Sequence, residues 1–218
     1  MSNEAAAQQA FAEVRERYNE SYKSTNKKYD PESEGKPLAK RNKRNLNADL
    51  GSSVKGKQAR NAFTEFTNLP HSEDMSIQEG NILWTMRAKA LNCDELAKMA
   101  CYRASILGMN TAVYTFAPPA DHAVCLVGDL SNWKKAIEDA RVREFKTKLA
   151  RSDAWIVDVW LNTVCSISDY PAAAEAKLKK WGNHGKRIFW SPKEDEESWV
   201  MPSAEYMNTF LNAYISQA

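Results

Sequence analysis

NCDELAKMACYRASILG, residues 92–108, has the pattern of a helix that is buried along one face. Its small and apolar side chains recur at intervals of three and four residues, which is the spacing of one helical stripe: Leu96, Ala97, Ala100, Cys101, Ala104 and Leu107. Asn92 is a favourable N-cap, and Gly108 is a favourable residue to end the helix. The pattern therefore predicts a core helix with Cys93 in its first turn.

Cys93 lies where a helix favours nucleophilic chemistry. Free backbone N–H groups and the positive end of the helix dipole stabilise a thiolate relative to a thiol. A thiol nucleophile also needs a base that accepts its proton and a group that orients this base. His122 begins an apolar strand, whereas His71 lies in a loop and His184 in a turn. His122 is therefore the predicted base.

Asp158 is the residue predicted to orient His122. It lies within an otherwise apolar run, AWIVDVW at residues 154–160. A carboxylate in such surroundings is costly unless a cation or a hydrogen-bond donor pairs with it, and an imidazole is a suitable partner. The expected triad is Cys93, His122 and Asp158.

Residues 77–162 resemble the transglutaminase-like and papain-like cysteine hydrolases. The matching segments are NCDELA at 92–97 for the nucleophile, HAV at 122–124 for the base and WIVD at 155–158 for the third member. This group includes proteases, transglutaminases and glutamine deamidases, and several members are secreted bacterial effectors or toxins. The resemblance implies that the thiol attacks a peptide or carboxamide carbonyl of a protein substrate, with no metal and no cofactor.

The resemblance also implies roles for individual residues. His122 would deprotonate the thiol and later protonate the leaving amine, while Asp158 would hold the tautomer of the ring. Such folds join the two strands by a short hairpin, but here 35 residues lie between them. Other residues are therefore alternatives for the third member: Asp153, Asn162 and Asp169. The oxyanion is expected to bind the backbone N–H of Cys93 and one side-chain donor among three: Asn92, Gln78 and Asn81.

The remaining patterns predict an α+β fold in which an antiparallel sheet packs against the Cys93 helix. Strands are expected at residues 111–116, 122–127, 153–160 and 187–190. Further helices are expected at residues 4–20, 58–67, 133–150, 171–181 and 204–215.

The N-terminal region differs from the rest in charge. Residues 1–60 carry 13 Lys and Arg against 8 Asp and Glu, whereas residues 61–218 carry 17 against 20. Residues 1–56 are therefore predicted to form a flexible basic arm with one short helix, followed by a catalytic domain at 57–218. The basic peak at 40–44 suggests a nucleic-acid-associated protein as an alternative, although the scarcity of aromatic residues there argues against it.

Composition also limits the location and the partners. No run of eighteen apolar residues exists, and the N-terminus lacks the features of a secretory signal. The four cysteines are irregularly spaced, which predicts a reducing compartment rather than a disulfide framework or a zinc site. We expect a cytoplasmic protein, or an effector secreted without a cleavable signal. Deamidation, proteolysis and transglutamination all fit, and a non-catalytic interaction module of the same fold is the alternative.

Overall fold

In the computed structural model, which describes residues 1–20, 26–67, 75–88, 90–190 and 198–218, the chain is an α+β protein with antiparallel sheets. The helices are α1 (Asn3–Glu20), α2 (Leu38–Thr67), α3 (Met75–Thr85), α4 (Cys93–Ile106), α5 (Lys134–Glu138), α6 (Phe145–Lys148), α7 (Tyr170–Asn183) and α8 (Ala204–Asn212). The strands are β1 (Lys27–Tyr29), β2 (Thr111–Phe116), β3 (Ala123–Val127), β4 (Trp155–Asp158), β5 (Thr163–Ser166), β6 (Lys186–Trp190), β7 (Ser198–Val200) and β8 (Ile215–Gln217).

The larger sheet has the strand order β5-β4-β3-β2-β8, and all its neighbours are antiparallel. On β3, Cys125 lies opposite Val113 of β2 and Val157 of β4. The long segment between β3 and β4 therefore leaves these two strands adjacent. This pairing holds His122, which immediately precedes β3, next to Asp158 at the end of β4.

Helix α4 packs against this sheet, as the pattern of residues 92–108 predicts. Its buried face contains Leu96, Ala97, Met99, Ala100, Cys101 and Ala104. Asn92 is the N-cap, and its backbone N–H donates to Glu95 Oε2 at 2.9 Å. Gly108 follows the helix with φ +79°, a conformation that favours glycine. Capping and burial together fix the first turn, where Cys93 lies.

The N-terminal residues also belong to the packed structure. Helix α1, close to the expected helix at 4–20, buries a face of small side chains that lets it approach α4 and β4: Ala6, Ala7, Ala10 and Val14. Strand β1 pairs with β6 in a second sheet of order β1-β6-β7. Helix α2 runs across the expected boundary at residues 56 and 57. The division into an arm and a catalytic domain stays a prediction.

Two helices predicted from periodicity are wrong in extent. The expected helix at 133–150 is broken into α5, a 3₁₀ turn and α6. Arg141 is extended there and bridges to Tyr214, while the Val142 N–H donates to the Ala213 carbonyl oxygen. The expected helix at 204–215 ends at Asn212, because residues 215–217 form β8 on the edge of β2. Tertiary hydrogen bonds thus replace the helical ones in both places.

Among the residues that the structure describes, no helix is both long and apolar enough to cross a membrane.

Candidate active site

Cys93 is the first residue of α4, and its side chain is half-buried. The backbone N–H groups of the first helical turn and the helix dipole therefore act on its sulfur. The neighbouring acidic residues are already engaged: Glu95 accepts from the Asn92 N–H, and Asp94 pairs with Lys98 at 2.9 Å. Cys93 thus lies at a positive helix end and is half-buried as a residue.

His122 immediately precedes β3 and is buried, with 4% of its surface exposed. Its carbonyl oxygen accepts from the Phe116 N–H at 2.8 Å, which extends the β2–β3 ladder to the histidine. Three aromatic rings surround the imidazole, with centroid distances of 5.1 Å to Phe116, 5.0 Å to Trp160 and 5.4 Å to Phe210. These contacts fix the ring and exclude water from most of it.

Asp158, at the end of β4, accepts three hydrogen bonds in the interior. Oδ2 lies 2.8 Å from His122 Nε2 and 2.7 Å from the Tyr170 hydroxyl, and Oδ1 accepts from the Leu161 N–H at 2.8 Å. Burial, followed by the charge of Asp158, raises the pKa of Tyr170 well above its ordinary value, so the phenol keeps its proton and donates. Only 1% of Asp158 is exposed. Three donors compensate the desolvation of this carboxylate.

The electrostatics of His122 connect the three predicted residues. Burial lowers the pKa of the imidazole, but the Asp158 charge and hydrogen bond, together with a hydrogen bond to Cys93, raise it to about 10. The ring is therefore an imidazolium at neutral pH. Because Asp158 engages Nε2, Nδ1 is the nitrogen that remains for the thiol. The charged ring and the N-terminus of α4 thus both place positive charge near Cys93.

The alternatives for the third member lie elsewhere. Asp153 is exposed and accepts from Asn3, while Asp169 caps α7 and accepts from Ser166 at 2.7 Å. Asn162 is exposed in the turn after β4, with φ +58°. Of the four candidates, Asp158 is the one that hydrogen-bonds to His122.

The predicted oxyanion donors lie on α3 and at the start of α4. Asn92 is the N-cap next to Cys93, and Gln78 is half-buried on α3. Asn81 lies on the exposed side of α3 and accepts from Thr85 at 3.2 Å. Asn92 is therefore the adjacent candidate, and the assignment stays a prediction.

The remaining histidines and cysteines have other surroundings. His71 falls outside the described residues, and His184 Nδ1 lies 2.6 Å from the Lys180 carbonyl oxygen. Cys101 and Cys125 are fully buried. Burial, with the charges of Asp169 and Asp158, raises the pKa of Cys165 to about 12. In the described part of the chain, no group of three or more His, Cys, Asp or Glu side chains could hold a metal ion.

Sequence reasoning missed the aromatic residues of the site, among them Trp160, Tyr170 and Tyr206. Tyr170 donates to Asp158, and Trp160 contacts the His122 ring. Burial raises the pKa of Tyr206, and the charges of Cys93, Asp121 and Asp158 raise it further, so this phenol is protonated near the sulfur. Trp160 follows Asp158 by two residues in the buried run, which is a usable signal for a shared face. Tyr170 and Tyr206 come from distant elements, and no local pattern identifies them.

No protein-family model, no curated protein and no solved structure matches the chain.

Proposed function

We propose that the protein is a cysteine-dependent hydrolase or acyl-transfer enzyme that acts on a carboxamide or peptide bond of a protein. The observation that carries the proposal is the buried hydrogen bond between the His122 ring and Asp158, together with the influence of Cys93 on the pKa of the same ring. A nucleophile, a base and an orienting carboxylate in this order are what acyl transfer requires.

The steps of the reaction follow from the protonation states. The Cys93 thiolate attacks the carbonyl carbon, and the resulting oxyanion is held at the N-terminus of α4. The His122 imidazolium donates its proton to the leaving nitrogen, so the C–N bond breaks and a thioester remains. The neutral ring then takes a proton from water, whose oxygen attacks the thioester and releases a carboxylic acid and the thiolate. If a protein amine replaces the water, the product is a new amide.

Asp158 acts through the imidazole rather than on the substrate. Its Oδ2 fixes the Nε2–H tautomer and stabilises the positive ring, while Tyr170 and Leu161 fix the carboxylate itself. The buried Phe116, Trp160 and Phe210 rings keep the local dielectric low, which strengthens these interactions. This supports an organised catalytic group rather than a histidine that only fills the core.

The finer assignments belong to the same proposal. A helix that carries the nucleophile and packs on an antiparallel sheet is compatible with a papain-like or transglutaminase-like fold, with α1, α2 and the second sheet as additions. We favour a protein glutamine deamidase or a protease that acts as a bacterial effector.

The reaction is tested by mass spectrometry of substrate proteins. A complex lysate is incubated with the wild type or with Cys93→Ala, and the proteins are compared by intact mass and by peptide mapping. We expect Gln-to-Glu conversion, cleavage or new amide cross-links that depend on Cys93. If no such change is found in lysates from several kinds of cell, the hydrolase proposal fails and the non-catalytic interaction module takes its place.

The state of the thiol is tested without a substrate. Iodoacetamide at neutral pH should label Cys93 at least about tenfold faster than Cys165, because the pKa of Cys165 is raised to about 12 and a thiol is a poor nucleophile. Peptide mapping of a time course gives both rates in one sample. His122→Gln removes the imidazolium and should slow the labelling of Cys93 without changing that of Cys165. Equal rates in the wild type would contradict an activated sulfur.

A further inference from the structure

A pocket of about 350 Å³ lies between the N-terminal elements, α7 and β6, on the far side of Trp160 from His122. Seven Lys and Arg side chains line it, together with His184, and its lining includes no Asp or Glu in the part of the chain that the structure describes. The cations come from α1, β1, α2, α7, β6 and the segment before α2. The pocket borders the candidate active site, because the charge of Asp158 acts on Lys27 and Lys177.

Six of the seven basic side chains in this pocket have no carboxylate within ion-pair distance among the residues that the structure describes. Arg15, Lys27, Lys36, Lys177, Lys180 and Lys186 form no ion pair with an Asp or Glu among the described residues. By contrast, Lys179 on the same helix α7 points elsewhere and pairs with Glu175 at 2.7 Å. The chain therefore supplies carboxylate partners to neighbouring lysines but not to those of the pocket.

Two of these lysines are held in the pocket at a cost in free energy. Lys27 is only 3% exposed, and its Nζ donates to the Trp160 carbonyl oxygen at 2.8 Å. Burial lowers the pKa of Lys186 to about 7, and the positive charges of Arg44, Lys177, Arg15 and Lys36 contribute. Burial and the charge of Lys186 likewise hold the pKa of Lys27 well below its ordinary value. Mutual repulsion of this kind is relieved when an anion binds.

The aromatic side chains of the pocket are engaged by its own cations. Lys186 Nζ lies 3.9 Å from the centroid of the Trp181 ring, and Lys27 Nζ lies 4.4 Å from that of Trp160 and 4.9 Å from that of Trp181. These cation–π contacts stabilise buried charge. Because the ring faces are used in this way, the pocket recognises charge and not the face of a nucleobase.

We propose that this pocket binds a compact oligophosphate group, either as a free molecule or as part of a nucleotide. Seven basic side chains surround this small volume, so a ligand with several negative charges close together suits them and also favours the protonated form of Lys186. An oligophosphate provides several such charges, whereas a carboxylate provides one. The walls are concave, so a small molecule fits them better than a nucleic-acid duplex. The proposal does not depend on the chemistry of Cys93.

The test is isothermal titration calorimetry of the full chain with inorganic tripolyphosphate at low salt and near pH 7.5. We expect one saturable site whose affinity falls as salt is added. Binding should take up protons, because the anion raises the pKa of Lys186 from about 7 and the amine becomes protonated. Titrations in buffers of different ionisation enthalpy measure this uptake. ATP should bind about as tightly as tripolyphosphate, and AMP at least about tenfold more weakly, since it carries fewer charges.

Variants on one helix provide the matched control. Lys177→Gln with Lys180→Gln removes two pocket charges from α7 and should weaken binding by at least about tenfold. Lys179→Gln removes one charge from the other side of α7 and should leave the affinity within about twofold of the wild type. Circular dichroism confirms that all variants are folded.

Several results would overturn the proposal. They are the absence of saturable binding of tripolyphosphate, equal losses in the pocket variant and in Lys179→Gln, and binding without proton uptake. Binding of ATP but not of tripolyphosphate would mean that the base is recognised instead. Binding of single-stranded DNA but not of tripolyphosphate would assign the basic region to an extended nucleic-acid surface.

Discussion

Asp158→Asn removes the charge that faces His122 but preserves the size of the side chain. Burial alone lowers the pKa of His122, and Asp158 is the largest influence among those that raise it to about 10. In the variant we therefore expect a neutral ring above about pH 6.5, whereas the wild-type ring should remain protonated at about pH 8. Side-chain ¹H–¹⁵N spectra of the histidines distinguish these states directly.

The free energy of unfolding should change with pH as a consequence. A histidine whose pKa is raised in the folded state contributes its full stabilisation below its unfolded pKa of about 6.5, and this is lost as the pH rises through about 10. Near pH 6 we expect Asp158→Asn to destabilise the protein by about 3–5 kcal/mol, the usual cost of breaking a buried ion pair. Between about pH 7 and pH 9.5 the difference should shrink by about 1.4 kcal/mol per pH unit.

The measurement is urea unfolding followed by tryptophan fluorescence at a series of pH values. Both proteins carry Cys93→Ala, so that both lack the nucleophile and differ only at residue 158. We interpret only the difference in the free energy of unfolding between the two proteins. Groups such as Lys186, whose pKa is lowered to about 7, contribute equally to both and cancel. A difference that stays constant from about pH 6.5 to 9.5, or that grows with pH, would refute the buried imidazolium.

Two further substitutions test the packing of the site. Tyr170→Phe removes one of three donors to the Asp158 carboxylate and should destabilise the protein by about 1.5–3 kcal/mol in urea unfolding. An unchanged free energy of unfolding would mean that the hydroxyl is not needed. In Gly80→Ala, the new Cβ would lie 2.2 Å from the Lys98 carbonyl oxygen, so α3 and α4 must separate. We expect the free energy of unfolding to fall by more than about 2 kcal/mol. Gly108→Ala is the control: its Cβ meets nothing within 4 Å, and the positive φ alone should cost about 1 kcal/mol. Equal melting temperatures for both alanine variants would contradict the close helix contact.

The sequence predicts the elements that bury one continuous face. The pattern of residues 92–108 predicts α4, because its apolar stripe and its N-cap are local features. The strand expected at residues 111–116 has the same bounds as β2. The carboxylate of Asp158 is predicted for a similar reason, since its apolar neighbours imply burial and hence a partner. Its hydrogen bond to His122 follows from the pairing of β3 with β4, which no local pattern specifies.

The failures have a common physical cause. Residues 133–150 do carry apolar side chains at helical spacing, but a helix also needs its backbone hydrogen bonds, and at Val142 the N–H donates to Ala213 instead. Tyr170 donates to a residue twelve positions earlier, across a turn and another strand. The basic pocket brings together side chains from Arg15 to Lys186. Contacts between distant segments produce no periodic pattern in the sequence of either segment.

Strand β2 obtains its second neighbour from β8, roughly a hundred residues further along the chain. At a synthesis rate of about 5–20 residues per second, the backbone groups of that edge stay open to other polypeptides for about 5–20 seconds. A ribosome that stalls before residue 215 would display this unprotected edge for much longer. Translation speed over roughly the last half of the coding sequence should therefore govern the yield of native protein, with slow codons there promoting aggregation.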